Sequence, residues 1–152
     1  MFEVLVYLFE NYLEANIRPD QGTLTRELSA AGFDSDDIER AFDWFSALES
    51  MTRETETGAA PEPAGFRIYA EEECEKISSE ARSFLMFLEQ AGVLRPTLRE
   101  LVIDRALALP DHLVTLEKIK WTVLMSLWNQ NQPNDYLFIA DTIFGDENPT
   151  LH

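Results

Sequence analysis

Apolar residues recur at helical intervals through most of the chain, and this spacing predicts a mainly α-helical fold. A first helix occupies the N-terminal segment, and a second over "TLTRELSAA" ends at Gly32, the usual residue for a left-handed cap. Asp34 can cap a third helix. The predicted buried faces of the first and third helices are Phe2, Leu5, Val6, Phe9 and Leu13, and Ile38, Ala41, Phe42, Phe45 and Leu48, with Trp44 at the edge.

The helical spacing stops in residues 52–65, whose Thr, Glu, Gly and Pro content predicts a mobile loop. Residues 66–70 then alternate in polarity and contain β-formers, which predicts one short strand. The chain therefore divides into a three-helix unit over 1–51, the loop, the strand, a helical bundle over 71–145 and a tail over 146–152.

The only cysteine, Cys74, lies among four glutamates, which raises the alternatives of a metal site, an activated thiol or a helix start. The neighbouring carboxylates disfavour ionisation of the Cys74 thiol, because they oppose a further negative charge. The same carboxylates are favourable in the first turn of a helix, where they interact with the positive end of the helix dipole. Cys74 also begins an apolar helical stripe, where a free cysteine behaves as a small hydrophobe. We therefore interpret it as a packing residue. The positions of that stripe, predicted as one continuous fourth helix, are Cys74, Ile77, Ala81, Phe84, Leu85 and Leu88.

The bundle has further helix signals after Gly92. Thr97 and Glu100 have the spacing of a capping box and predict the start of a fifth helix. The segment "TLEKIKWTVLMSLWN" is apolar around most of its circumference and predicts a central sixth helix. "YLFIADTIF" predicts a short last helix.

Residues 23–45 have helix-turn-helix spacing, and with the loop and strand after them they resemble a winged helix. In the usual docking, the second helix of the motif enters the major groove of DNA. Here that helix carries carboxylates that oppose phosphate, so protein contact is favoured over direct DNA binding. The candidate partner-binding residues on it are Asp36, Glu39 and Asp43.

A formal net charge of −16 favours a basic protein partner and repels nucleic acid and anionic membranes. The apolar runs are too short to span a bilayer, and the N-terminal segment lacks the positive region of an export signal. A single cysteine fits the reducing cytoplasm. We therefore expect a cytoplasmic protein that does not enter the membrane, in an oligomeric state that the sequence does not define.

The sequence predicts no catalytic residue, no metal ligand and no cofactor. It has no Cys-x-x-Cys or His-x-x-x-His spacing, no glycine-rich phosphate loop and no nucleophile elbow. His112 follows a proline in a connection and has no evident catalytic partner. An enzyme is therefore the least favoured class of function.

Residues 95–120 are the one stretch that is not acidic, with five basic and four acidic residues. Ion pairing with the chain's own acids is the favoured interpretation. A spot that binds an acidic partner or RNA is the alternative. The residues of this candidate basic spot are Arg95, Arg99, Lys118 and Lys120.

Several segments together resemble the Smg family of bacterial proteins, whose function is unknown. They include "MFEVLVYLFENY", "FRIYAEEECEKI", "RELVIDRALAL" and "LEKIKWTVLMSLWN", and the resemblance runs nearly end to end. The family usually has Thr-Pro where this chain has Ala70-Glu71, which removes a good N-cap from the fourth helix. The resemblance implies no catalytic residue. The leading hypothesis is an acidic cytoplasmic interaction or adaptor protein, and the alternative is a nucleic-acid-associated regulator that uses the winged-helix-like unit or the basic spot.

Overall fold

The computed structural model describes residues 1–13, 20–56 and 68–129, and these are mainly helical. The predicted class, mainly α, is confirmed for them. The chain divides into two compact units, Met1–Ala47 and Leu48–His152. The helices are α1 (Phe2–Leu8), which continues as a π-helix (Phe9–Leu13), α2 (Gln21–Ala30), α3 (Ser35–Glu56), α4 (Glu71–Lys76), α5 (Ser79–Gln90), α6 (Pro96–Leu107) and α7 (Leu116–Asn129). The predicted last helix over 136–144 and the tail over 146–152 lie outside the described residues.

The buried face of α1 differs from the predicted one. The structure buries Val4, Leu5, Leu8 and Phe9, whereas Phe2 and Val6 are only half-buried. Glu3 is the only polar residue in α1 apart from a tyrosine, so the pattern barely distinguishes one face of this helix from another. The phase of the helix is therefore decided by packing.

The turns after α2 and α5 are two copies of the same cap. In the first, Gly32 has a φ of +99° and its N–H donates to the Ser29 carbonyl, while the Phe33 N–H donates to Leu28. Gly92, with a φ of +78°, does the same after α5. These bonds form Schellman motifs, in which a glycine adopts the left-handed conformation at low cost. Both predicted cap glycines therefore end their helices as expected.

α3 extends into the segment predicted as a loop. Residues 52–56 are helical, and the buried Thr52 hydroxyl donates to the Leu48 carbonyl at 2.8 Å. The glycine and prolines that break helices begin only at position 58, so nothing in 52–56 prevents the helix from continuing. The rest of the predicted loop, 57–65, lies outside the described residues.

The short strand predicted for residues 66–70 is not found. Residues 66 and 67 lie outside the described part, and residues 68–70 belong to no strand. Ile68 is 86% exposed, so its side chain lacks the packing against neighbours that makes a β-branched residue favourable in a strand. In the described ranges, the only β-type pairing is a parallel bridge between Ile77 and Val114.

The predicted fourth helix is broken in two. α4 ends at Lys76, Ile77 is extended, and Ser78 caps α5 by accepting a hydrogen bond from the Ala81 N–H at 3.1 Å. Ala70 starts α4 without a side-chain acceptor, but its N–H donates to the Glu73 carboxylate at 2.8 Å. That bond supplies half of a capping box, which offsets part of the lost N-cap.

The break brings the α4–α5 junction against the connection between α6 and α7. The Val114 N–H donates to the Lys76 carbonyl at 2.6 Å, and the Ser78 N–H donates to the Val114 carbonyl at 3.1 Å. The Lys76 ammonium donates to the Leu107 carbonyl at 2.6 Å and also to that of Leu109. A cation at the C-terminal end of α6 is favourable because it meets carbonyls that no intrahelical N–H satisfies.

The core of the second unit lies among α5, α6 and α7, which pack against one another. α7 is buried around most of its circumference, as its sequence predicts. α6 begins with Pro96 at its first position and has Arg95 as N-cap, without a side-chain capping bond. The predicted capping box is therefore wrong. Thr97 is the second residue of the helix, two positions beyond the N-cap, because Pro96 suits the first helical position.

Candidate interaction surfaces

The three candidate carboxylates of α3 lie exposed on the side away from the core. Asp36, Glu39 and Asp43 are all exposed. Their spacing of three and four residues places them along one face of a helix. The opposite face buries Ile38, Ala41 and Trp44. The prediction had placed Trp44 at the edge, whereas Trp44 is only 3% exposed and Phe42 and Phe45 are half-buried.

The neighbours of these carboxylates only partly offset their charge. Arg40 is exposed on the same helix, among the acids. Asp37 is half-buried, and its carboxylate lies 3.4 Å from the N-terminal amine, with which it forms an ion pair within the first unit. Asp36, Glu39 and Asp43, which we call the α3 acidic face, thus present three negative charges against one nearby arginine.

Arg99, one of the four candidate basic residues, is buried. Its side chain is 4% exposed, and its guanidinium lies 2.8 Å from a Glu100 oxygen and 3.4 Å from a Glu89 oxygen. α6 carries it toward the core beside Leu98, Val102 and other buried residues. An arginine held between two carboxylates of its own chain has no charge left to offer an external partner.

The other candidate bases are closer to the surface. The Lys118 ammonium lies 3.2 Å from an Asp111 oxygen, and Lys120 lies over the Phe84 ring at 5.8 Å from its centroid. Arg95 is exposed, and both lysines are half-buried. A surface spot in 95–120 would therefore consist of Arg95, Lys118 and Lys120, and its binding to an acidic partner or RNA stays a prediction.

A groove in the second unit was not foreseen from the sequence. Its volume is about 390 Å³, and its lining residues come from the last turns of α3, from Glu73 in the first turn of α4 and from α6. Buried Leu101 and Ile103 lie among its apolar lining. Its lining carboxylates, which we call the groove rim, are Glu54, Glu73, Glu100 and Asp104. The helical spacing of Thr97, Glu100 and Asp104 was the available signal.

In the described part of the chain, no group of three or more His, Cys, Asp or Glu side chains could hold a metal ion. His112 is exposed, and His152 lies outside that part. Cys74 is half-buried, and its thiol lies 3.9 Å from the Tyr69 carbonyl. Among residues 1–13, 20–56 and 68–129, no helix is long and apolar enough to cross a membrane.

Comparison with known proteins places the whole chain in one family. A family model described as "Protein of unknown function (DUF494)" matches residues 1–152. A "Protein Smg homolog" of Methylobacillus flagellatus is 59% identical over 152 residues and covers 100% of both chains. Relatives of the same name in Azoarcus sp. and Bordetella pertussis are 44% and 42% identical, again over 100% of both chains. No solved structure matches. The chain belongs to the DUF494 family of proteins of unknown function, to which the resemblance to Smg proteins had pointed.

Proposed function

We propose that this protein is a non-enzymatic interaction or adaptor protein of the cytoplasm, and that its α3 acidic face binds a basic protein partner. The observation that carries the proposal is the exposure of Asp36, Glu39 and Asp43 on one face of a helix whose other face is buried. A rigid helix holds these charges at fixed spacing, so a partner with matching cations can meet all three at once.

The charge of the whole chain supports the same proposal. At a net charge of −16, the long-range field attracts cationic proteins and raises their association rate. Exposed charges act mainly on the association rate and are screened by salt. The binding should therefore weaken as ionic strength rises.

A winged-helix-like first unit is part of the proposal. The connection between α2 and α3 is short, and the Gly32 cap turns the chain sharply, as in a helix-turn-helix. The second helix of the motif carries the α3 acidic face where DNA phosphates would lie, so contact with protein is favoured. The alternative, a nucleic-acid-associated regulator, would rely on Arg95, Lys118 and Lys120.

The experiment compares two variants with the same change in net charge. One reverses the α3 acidic face by Asp36→Lys, Glu39→Lys and Asp43→Lys. The other reverses three exposed acids on separate helical segments, Glu10, Glu75 and Glu117. Wild type and both variants are immobilised on resin and incubated with cytoplasmic extract. The captured proteins are then quantified at low and at moderate salt.

A partner of the α3 acidic face should be captured by wild type and by the scattered variant, and be lost from the α3 variant. Far-UV circular dichroism should show unchanged helicity, because surface substitutions usually change stability by only about 0.5 kcal/mol. Equal loss from both variants would mean that only net charge matters, and the proposed surface would be wrong. A gel shift of duplex by wild type that Arg95→Ala abolishes would favour the alternative.

A further inference from the structure

α5 exposes two large apolar side chains in its C-terminal half. Met86 is 45% exposed and Phe87 is 48% exposed, and we call these two residues the α5 apolar patch. Residues 83–88, with the sequence SFLMFL, carry no charge, although charged residues make up 26% of the chain. A segment that covers this patch would therefore bury hydrocarbon without removing a charge of α5 from water.

α5 and α7 pack side by side and run in the same direction. At their N-terminal ends, the Ser78 N–H donates to the Val114 carbonyl at 3.1 Å. Further along both helices, the Lys120 ammonium lies 5.8 Å from the centroid of the Phe84 ring. Phe87 lies three residues beyond this contact and α7 continues for nine, so α7 ends about 9 Å past Phe87 along the helix direction. A chain that turns back after α7 therefore passes the α5 apolar patch.

The segment after α7 has the length that such a return requires. Residues 130–135, with the sequence QNQPND, are polar, and six residues can span up to about 20 Å. Connections of about 2–8 residues are usual between neighbouring helices. The predicted last helix over 136–144 would be about 14 Å long, which is enough to run back from the end of α7 past Phe87.

Residues 136–144 also have the polarity that docking on an apolar surface requires. At helical spacing, Asp141 and Thr142 fall on one side together with Phe138. The remaining residues form an apolar arc of about 160°: Tyr136, Leu137, Ile139, Ala140, Ile143 and Phe144. Isolated helices shorter than about 12–15 residues are marginal in water, so a helix of this length needs a surface to pack against.

We propose that residues 136–144 fold back from α7 and dock on the α5 apolar patch, with their two isoleucines against Phe87. The other exposed large apolar residues of the described ranges lie elsewhere along the chain. Leu113 is next to Val114 at the opposite end of α5, and Ile68 precedes α4, which joins α5 at that same end. The docked segment would keep the patch from contact with a second copy of the chain.

The patch and the α3 acidic face share no residue, and they belong to different compact units. The inference therefore stands or falls independently of the proposed function.

A first experiment tests whether the contact forms within one chain. The full chain is labelled with ¹³C at isoleucine methyl and phenylalanine ring positions, and NOEs from Ile139 and Ile143 to the Phe87 ring are expected. A mixture of labelled and unlabelled protein, recorded with isotope filters, should show no such NOEs between chains. The proposal is overturned if these NOEs are absent. It is also overturned if they occur between chains, because a second copy would then cover the patch.

A second experiment compares three single substitutions that add the same charge. Ile143→Asp changes the apolar arc, Phe87→Asp changes the patch, and Thr142→Asp is the matched control on the polar side of the segment. Hydrogen exchange of the amides of residues 136–144 measures how well the segment is held. Ile143→Asp and Phe87→Asp should each lower this protection at least about tenfold, because docking would remove the new carboxylate from water.

Thr142→Asp should change the protection by no more than about threefold, since its carboxylate stays in water. Phe87→Asp is the decisive variant, because it leaves the sequence of the segment unchanged and acts on it only through docking. Unchanged protection of α6 and α7 should show that the rest of the fold is intact. The proposal is wrong if wild type shows no protection in 136–144, if Phe87→Asp leaves it unchanged, or if all three variants lose it equally.

Discussion

Arg99→Ala should destabilise the second unit far more than loss of a surface arginine. The Arg99 side chain is 4% exposed, between Glu89 at 21% and Glu100 at 42%. Removing one partner of a fully buried ion pair costs about 3–5 kcal/mol, because a charge is left without compensation. Here both carboxylates keep some contact with water, which screens the remaining charge, so we expect about 2–3 kcal/mol.

A double-mutant cycle separates the ion pair from the packing of the arginine stem. Arg99→Met keeps much of the hydrocarbon volume and removes the charge, and Glu89→Gln removes one of the two carboxylates left behind. Because the two groups interact directly, the double variant should be more stable than the sum of the single losses predicts, by about 1 kcal/mol. Urea unfolding followed by far-UV circular dichroism measures all four proteins.

Arg95→Ala is the matched control, since Arg95 is exposed and carries the same charge. It should change the free energy of unfolding by about 0.5 kcal/mol or less. If Arg99→Ala costs no more than Arg95→Ala, the ion pairs do not hold this side chain in the core. Arg99 would then return to the candidate basic spot.

Three further predictions concern single positions. Cys74→Ala should lower the free energy of unfolding by about 1 kcal/mol or less, because the side chain is half-buried, and a thiol reagent should modify the native protein more slowly than the unfolded one. Gly92→Ala should lower the free energy of unfolding by about 1–2 kcal/mol through backbone strain alone, since no atom lies within 4 Å of an added Cβ. Gly22→Ala, which lies within a helix, should instead raise it by up to about 1 kcal/mol. In thermal unfolding, the two substitutions should therefore shift the Tm in opposite directions. Hydrogen bonds from the Thr23 side chain and backbone hold the pKa of the Asp20 carboxyl below its usual 3.8, so its stabilisation is present above that value and is lost as pH falls through the lower folded pKa. Asp20→Asn, which does not titrate, should therefore show a shallower loss of stability below pH 3.8 in urea unfolding, and an unchanged slope would contradict this.

Local signals predicted the features that depend on local physics. The two glycine caps follow from the need for positive φ at a helix end, and the central α7 follows from an apolar circumference. The exposed α3 acidic face likewise follows from helical periodicity opposite a buried stripe. None of these features requires knowledge of a distant segment.

The features that were missed depend on contacts remote in sequence. The break at Ile77 is favoured by the Ser78 cap and also by Val114, which supplies partners for the extended backbone from a distant part of the chain. The burial of Arg99 depends on Glu89 of the preceding helix, and charge alone does not reveal it. The groove requires α3, α4 and α6 to meet, so its acids resemble any solvated helix face when read along the chain.

The hydrogen bonds between the α4–α5 junction and Val114 have a consequence for the timing of folding during synthesis. The backbone groups of Lys76 and Ser78 both form hydrogen bonds with Val114, which is translated after the whole of α5 and α6. At about 5–20 residues per second, the ribosome needs a few seconds to reach it, whereas a helix forms in about a microsecond. During that interval the nascent chain lacks the contact with Val114 that interrupts the helix, and residues 74–88 can form one continuous helix. Once Val114 has emerged, its hydrogen bonds would divide this helix into α4 and α5, so the junction between them forms late in folding.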